Sequence, residues 1–233
     1  MILEGFKFTN SLFLDNFTKF FIVVFPIYVI QFLVFLAFGS VPGNEFGTSS
    51  SSMNIAQWTQ QFLSNLLTFY SYALAILLID DIFKEKSRSV SNYFYQALYF
   101  FPKIIGIGLI TGILVVFGFI LFILPGLYIL ARLMFAPYIG LIENRPILDS
   151  VKKAYEITEG KGWKLIGYVV AVIFPIIIIL ITILTGFAVF LIPVNINAYI
   201  AIAYLFSFLS FIYLAIYIYH LLINLNKTED EFI

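Results

Sequence analysis

Long apolar stretches alternate with short polar segments along the whole chain. Six stretches are long enough to cross a hydrocarbon core of about 30 Å, which takes about 20 residues at the rise of an α-helix. The predicted spans are residues 17–38, 60–82, 104–124, 127–142, 164–190 and 198–225. A transmembrane β-barrel needs strands of about ten residues with alternating polarity, and the unbroken apolar run 170–180 contradicts it. The pattern predicts an all-α integral membrane protein with one polytopic domain, 1–233.

The basic residues indicate how the spans are oriented. Twelve of the thirteen Lys and Arg residues fall on one side: before span one or in its first turn, between spans two and three, between spans four and five or at the first position of span five, or after span six. The opposite loops, 39–59, Pro125-Gly126 and 192–197, contain none. Because positively charged loops stay in the cytoplasm, both termini are predicted inside. The extracytoplasmic loop 39–59 contains a serine run, which is typical of a plain spacer or of a partner-binding arm.

Amphipathic segments precede alternate spans. Residues 146–159 have an apolar face and a charged face, with Pro146 at the start and Gly160 at the end as helix signals. We expect this helix to lie on the membrane surface with Val151 and Tyr155 toward the acyl chains. Similar interfacial helices are predicted over about 5–16 and 89–101. The spacing from Ser89 to Lys103 repeats from Ser150 to Lys164, which predicts three parallel repeats of an interfacial helix plus a transmembrane hairpin.

Composition excludes several functions. The chain is 62% hydrophobic and 11% charged, against about 25% charged in an average soluble domain. The net charge is zero and no dense basic run occurs, so nucleic acid is not an expected partner. With no cysteine and a single histidine, His220, neither a metal nor another cofactor is expected. No catalytic motif appears, so the sequence predicts no enzyme.

Arg132 is the one basic residue predicted inside a span, near the outer turn at Pro125-Gly126. It is expected either to hold an anionic lipid headgroup or to be a structural residue bonded to backbone carbonyls. No acidic residue lies in the outer half of any predicted span, so no protein counter-ion is evident.

Other polar residues lie at predicted span ends. Asp80 and Asp81 point about 100° apart on a helix, which favours pairing with Lys84, Arg88 or the interfacial helices over a shared acid/base site. Glu143, Lys103, Lys164 and Trp163 are further structural or interface candidates. His220, one turn from Asn224, is interpreted as a hydrogen-bonded structural residue rather than a proton relay.

Small residues and prolines predict packing and kinks. Gly108 and Gly112 in span three, and Gly167 and Ala171 in span five, have the spacing that lets helices approach closely, within the chain or between subunits. Three prolines are expected to kink spans one, four and five; they are Pro26, Pro137 and Pro175.

The run Ile123-Leu124-Pro125-Gly126-Leu127-Tyr128-Ile129-Leu130-Ala131-Arg132, followed by Ala136-Pro137-Tyr138 and Leu141-Ile142-Glu143-Asn144, resembles the YciC-like bacterial inner-membrane proteins. It also resembles the related membrane domain fused to some glycerophosphodiester phosphodiesterases, which Arg132 matches better. Ile147-Leu148-Asp149-Ser150 and Gly162-Trp163-Lys164 continue the likeness. The resemblance implies a bacterial cytoplasmic-membrane protein with a part in envelope or lipid homeostasis; the phosphodiesterase domain is absent.

We therefore expect a non-enzymatic multipass protein that organises or senses lipid. Its expected partners are membrane lipids, and the sequence leaves open whether it also binds other proteins or associates with itself. The alternative is a carrier or channel for a lipid or small amphiphile, through a cavity between proline-kinked spans. A sealed bundle favours the first function, and a polar cavity reaching Arg132 favours the second.

Overall fold

The computed structural model describes residues 2–38, 55–192 and 195–230, and these residues form ten helices and no strand. The predicted loop 39–59 lies outside them, except that residues 55–59 already belong to a helix. In chain order the helices are α1 (Ile2–Asp15), α2 (Phe17–Val23), α3 (Phe25–Phe38), α4 (Ile55–Phe83), α5 (Val90–Leu121), α6 (Ile123–Leu133), α7 (Ala136–Ile142), α8 (Ile147–Ile157), α9 (Gly162–Leu191) and α10 (Ile196–Asp230).

By length and composition, several of these helices are able to cross a membrane. In the described ranges five segments qualify, namely α4, α5, residues 123–142, α9 and α10. The pair α2 and α3, bent by 43° at a short break, adds a sixth if the two helices form one span. The all-helical fold, with several helices long and apolar enough to cross a membrane, is therefore as predicted. The apolar exterior of α9 suits contact with lipid rather than water.

The core lies around the second half of α4, where every residue from Ala73 to Ile79 is buried. Helices α3, α5, α7 and α10 pack against α4. Tyr138 of α7 is fully buried and donates a hydrogen bond of 2.9 Å to the carbonyl of Ala215 in α10. This bond satisfies a hydroxyl that would otherwise be buried alone.

Helix α1 packs across α10 rather than extending away from the bundle. Its buried residues Gly5, Thr9 and Leu12 follow a helical repeat and form one face. Tyr213 donates a hydrogen bond of 2.8 Å to Asn10, and the ring of Phe8 contacts both Phe83 and His220. The start of the chain, the end of α4 and the later part of α10 therefore meet at one end of the bundle.

The predicted separate helix over 89–101 is wrong, because α5 continues without a break through Pro102. Tyr93, Ala97, Ile104 and Ile107 are buried on both sides of the proline. They recur at intervals of three, four and seven residues, so one continuous stripe is held by tertiary contacts. That packing offsets the single backbone hydrogen bond that Pro102 removes.

The turn predicted at Pro125-Gly126 lies earlier, at Phe122, whose backbone is extended (φ −168°, ψ 162°). Pro125 instead occupies the first turn of α6, where its missing N–H has no helical partner to lose. The backbones of α5 and α6 then come very close, because a Cβ added to Gly118 would lie 2.9 Å from the Cα of Gly126.

Helix α8 forms as predicted, with Pro146 just before it and Gly160 in a left-handed conformation (φ +69°) after it. The predicted contact of Val151 with acyl chains is wrong, because its face of α8 is covered by protein. Ser150, Val151, Ala154 and Ile157 are buried against α5, α6 and α7, whereas Tyr155 is half exposed. The apolar face is covered by protein, since neighbouring helices offer closer packing than lipid chains.

The direction of α8 changes the predicted topology of this region. Ser150 lies beside Gly140, Thr158 beside Arg132, and Gly162 beside the ring of Tyr128, so α8 runs antiparallel to α7 and α6. An upright helix of 20 residues separates its ends by about 30 Å. The placement of the Pro125-Gly126 segment and the start of α9 on opposite membrane faces is therefore contradicted.

Of the predicted small-residue positions, Gly108 lies in a close contact between α5 and α4, since a Cβ there would lie 2.6 Å from the ring of Phe69. Gly112 and Gly167 face open space, and Ala171 is half-buried. Of the prolines, Pro26 and Pro137 are each the second residue after a helix break, at the starts of α3 and α7. Pro175 lies inside α9, which continues through it.

Candidate functional site

A cavity of about 530 Å³ opens at the end of the bundle where α1, α4 and α10 meet. It lies between α2, the end of α4 and the segment that leads into α5. Its polar and charged lining, here called the rim, consists of Asn16, Lys19, Glu85, Lys86, Ser87 and Arg88. Its apolar lining, here called the floor, consists of Ile22, Val23, Leu78 and Ile82, together with Val90 and Tyr93. A basic rim over an apolar floor suits an amphiphile, and the volume is in the range of small-molecule sites.

The end of α4 positions one side of this rim. The amide of Glu85 donates to the carbonyl of Ile82 (3.2 Å), and the amide of Lys86 donates to that of Asp81 (2.8 Å). These two bonds, with Glu85 in the left-handed region (φ 53°), form a Schellman motif. Glycine usually occupies that position, so Glu85 is held there at some cost in backbone strain.

Arg88 ties the segment that follows α4 back to α4 through an ion pair with Asp81. Its Nε lies 2.8 Å from Oδ2 of Asp81, and its Nη2 donates a hydrogen bond of 3.0 Å to Oδ1. Nη1 donates to Gln96, and the guanidinium lies over the ring of Tyr93. Asp81 is only 1% exposed, so the arginine neutralises a buried charge.

Asp80 has different partners, as expected from its direction on the helix. Lys84 donates to it over 2.8 Å, and the hydroxyl of Tyr219 donates to its other oxygen over 2.9 Å. The second bond ties α4 to α10. The two adjacent carboxylates thus diverge, and the predicted pairing with Lys84 and Arg88 is present.

Arg132 is buried between α6 and α8, with 3% of its surface exposed. Its Nε donates to the hydroxyl of Thr158 (3.1 Å) and its Nη2 to the carbonyl of Tyr155. The guanidinium carbon lies 3.4 Å from the ring centroid of Tyr155 and 5.5 Å from that of Tyr128. These contacts agree with the structural role that the sequence offered as the alternative to binding a lipid headgroup. Arg132 is not among the residues that line the described cavities.

A second charged cluster follows α7. Glu143 accepts from Arg145 (2.5 Å) and from Lys153 of α8 (2.9 Å), while Lys103 of α5 donates to Asn144 over 2.6 Å. Partial burial favours the neutral form of Glu143, but the hydrogen bonds from Arg145 and Lys153 outweigh it, and its pKa is below the usual value. This cluster fixes the connection between α7 and α8.

The remaining predicted residues have structural surroundings. His220 shares a hydrogen bond of 2.9 Å with Asn224 and packs on Phe8. Trp163 is exposed and contacts the ring of Tyr128, and Lys164 is exposed beside it. Among the described residues, His, Asp and Glu side chains do not gather in a group of three that could hold a metal ion.

The cavity was not predicted as a site. Lys19 and Lys86 were visible only as part of the basic asymmetry, and Arg88 was predicted only as a partner of the two aspartates. The convergence of the three residues depends on how α2 packs beside the end of α4. Comparisons of the chain with protein-family models, with curated proteins and with solved structures find no match. The resemblance to YciC-like proteins therefore stays a prediction.

Proposed function

We propose that this chain is a non-enzymatic multipass protein of a bacterial cytoplasmic membrane that organises or senses lipid in envelope homeostasis. The observation that carries the proposal is the basic, apolar-floored cavity between α2, α4 and the start of α5. An amphiphile would place its polar head among Lys19, Lys86 and Ser87 and its chain along Ile22 and Ile82.

The proposed topology keeps YciC-like membership and both termini in the cytoplasm. It is supported by the contacts of Phe8 with Phe83 and His220, which bring α1, the end of α4 and the later part of α10 together. An even number of spans between the termini is consistent with that meeting. Lys19, Lys84, Lys86 and Arg88 lie at the same end, and the positive-inside rule assigns that end to the cytoplasm.

The proposed three parallel repeats rest on the order of the helices. A more polar helical segment precedes an apolar one in α1 before α2 and α3, in the first part of α5, and in α8 before α9. The third unit differs, because α8 packs into the bundle. The three repeats are therefore proposed as a shared order of segments along the chain, and not as three units with identical packing.

A carrier for a lipid or small amphiphile is the second candidate. A cavity of about 290 Å³ beside Pro137, with Tyr72, Gly112 and Leu133 in its wall, favours it, since a cavity was expected at a kinked span. Its lining is mainly apolar and does not reach Arg132, which has protein partners instead. These features favour lipid binding at the basic end over passage through the bundle.

The test is the lipid retained by the whole chain in native-membrane nanodiscs, measured by mass spectrometry. Ile22→Ser removes an apolar side chain from the cavity floor, and Ile30→Ser is a matched control, because both isoleucines are about half exposed but only Ile22 lines the cavity. Losing about 1 kcal/mol of apolar contact predicts about fivefold less retained lipid for Ile22→Ser only. Equal retention in both variants, together with labelled-lipid flux in proteoliposomes, would favour the carrier instead.

A further inference from the structure

We infer that the cavity selects an anionic, phosphate-bearing lipid headgroup, and that the ammonium groups of Lys19 and Lys86 are its contacts. The inference rests on the proposed lipid-binding function and adds the chemical class of the headgroup. It follows from three features of the rim: its uncompensated charge, the donors available there, and the apolar floor beneath them.

The charge balance of the rim favours an anion. Arg88 is already compensated by the buried carboxylate of Asp81. The remaining charged residues that line the cavity are Lys19 and Lys86, each +1, and Glu85, which is −1, so their sum is +1. A phosphodiester with one negative charge matches that sum, whereas a zwitterionic headgroup brings an additional cation that the lysines repel.

The two lysines also have hydrogen-bond donors to offer. An ammonium group has three N–H donors, and Lys19 uses one of them on Oδ1 of Asn16 at 3.0 Å. Lys86 is exposed, and its ammonium makes no hydrogen bond within the described part of the chain. Its backbone is nevertheless fixed by the Schellman motif, so the lysine starts from a defined position at the rim.

The floor distinguishes a lipid from a soluble phosphate. Val23 and Leu78 are buried and Ile82 is partly buried, whereas half of Ile22 is exposed on α2. Because Ile22 is half exposed, the apolar lining of the cavity reaches the outer face of α2. An acyl chain would cover this surface, while a free phosphate would leave it in contact with water.

Arg88 acts as a positioning residue in this site. Removing its guanidinium would leave the carboxylate of Asp81 buried without its cation, which destabilises the fold rather than the ligand alone. Substitutions of Lys19 and Lys86 are cleaner tests, because both side chains are exposed and neither forms an ion pair in the described ranges.

The experiment measures binding of dioleoyl phosphatidylglycerol and dioleoyl phosphatidylcholine to the full chain by native mass spectrometry, with glycerol 3-phosphate as the soluble arm. Wild type should bind phosphatidylglycerol at least about tenfold more tightly. Lys19→Gln and Lys86→Gln should each reduce that preference about fivefold, and the double variant should abolish it. Lys152→Gln, an exposed lysine of α8, is the matched control and should retain the preference.

The outcomes separate this inference from the proposed function. Equal binding of both lipids that still depends on Ile22 would overturn the headgroup inference and leave lipid binding intact. Displacement of phosphatidylglycerol by glycerol 3-phosphate at equal concentration would overturn the assignment to a lipid. Failure of wild type to bind either lipid would overturn both proposals, with folding checked in each variant by its thermal unfolding midpoint.

Discussion

The guanidinium carbon of Arg132 lies 3.4 Å from the ring centroid of Tyr155, and the same side chain donates to the carbonyl of Tyr155 and to the hydroxyl of Thr158. One residue of α6 thus holds the C-terminal turn of α8. Because the arginine is buried, these contacts should stabilise the fold rather than bind a ligand.

Arg132→Gln should lower the free energy of unfolding by about 2–3 kcal/mol, since it removes buried charge-assisted hydrogen bonds and the cation–π contact. Thr158→Val should lower it by about 1–2 kcal/mol, because the lost hydroxyl accepts from Arg132 and donates to the carbonyl of Ala154 over 2.7 Å. Thermal unfolding in detergent measures both, with the exposed Lys152→Gln as control. A fully stable Arg132→Gln protein that retains less anionic lipid would show instead that the arginine is a headgroup anchor.

The close approach of α5 and α6 predicts a contrast between two glycines of one helix. Gly118→Ala should destabilise the protein by about 1–3 kcal/mol, because its methyl group would lie 2.9 Å from the Cα of Gly126. Gly112→Ala meets open space and should be neutral or stabilising by up to about 1 kcal/mol, as expected for alanine in a helix. Similar unfolding midpoints for the two variants would contradict the packing of this pair.

Glu85 predicts a stabilising substitution at the cavity rim. Glu85→Gly should raise the free energy of unfolding by about 1 kcal/mol, because glycine adopts the left-handed backbone without strain. Glu85→Ala is the control, since it removes the same charge and keeps the strain. Chemical unfolding of both variants distinguishes them; equal stabilisation would attribute the gain to charge alone.

Glu143 predicts an acid-dependent weakening of the connection between α7 and α8. Its pKa is lowered in the folded protein, so its contribution to stability is complete above the ordinary carboxyl pKa of about 4.5 and is lost as pH falls through the lower folded value. Unfolding midpoints of wild type should therefore fall from about pH 5 downward. Glu143→Gln should show a shallower decline, and parallel curves would contradict the assigned role.

The helices themselves were largely predictable because apolar length, Pro146 and Gly160 are local signals. Local sequence does not determine which neighbour covers the apolar face of a helix. The apolar face of α8 was evident from its periodicity, but periodicity does not distinguish a face that contacts lipid from one that packs on α5 and α7. Pro102 was likewise compatible with a break until the contacts of Ile104 and Ile107 were known.

The polar residues divide in the same way, into those with partners close in the sequence and those with partners brought together by tertiary packing. Pairing of Asp80 and Asp81 with Lys84 and Arg88 was predictable, since those partners lie four and seven residues away along one segment. A carbonyl-bonded Arg132 was one of the two expectations, but its partners lie 23 and 26 residues away, and the sequence does not indicate which residues they are. The cavity joins α2 to the end of α4, so its lysines converge only through tertiary packing.

The lipid at the basic end can be located by photo-crosslinking in native membranes. A phosphatidylglycerol with a diazirine near the carbonyl end of one acyl chain would be activated and the labelled peptides mapped by mass spectrometry. Labels should concentrate in residues 17–23 and 78–90, and Lys19→Gln with Lys86→Gln should remove them. Labels distributed evenly over the exposed faces of α5 and α9, unchanged by the two lysine substitutions, would contradict lipid binding in this cavity.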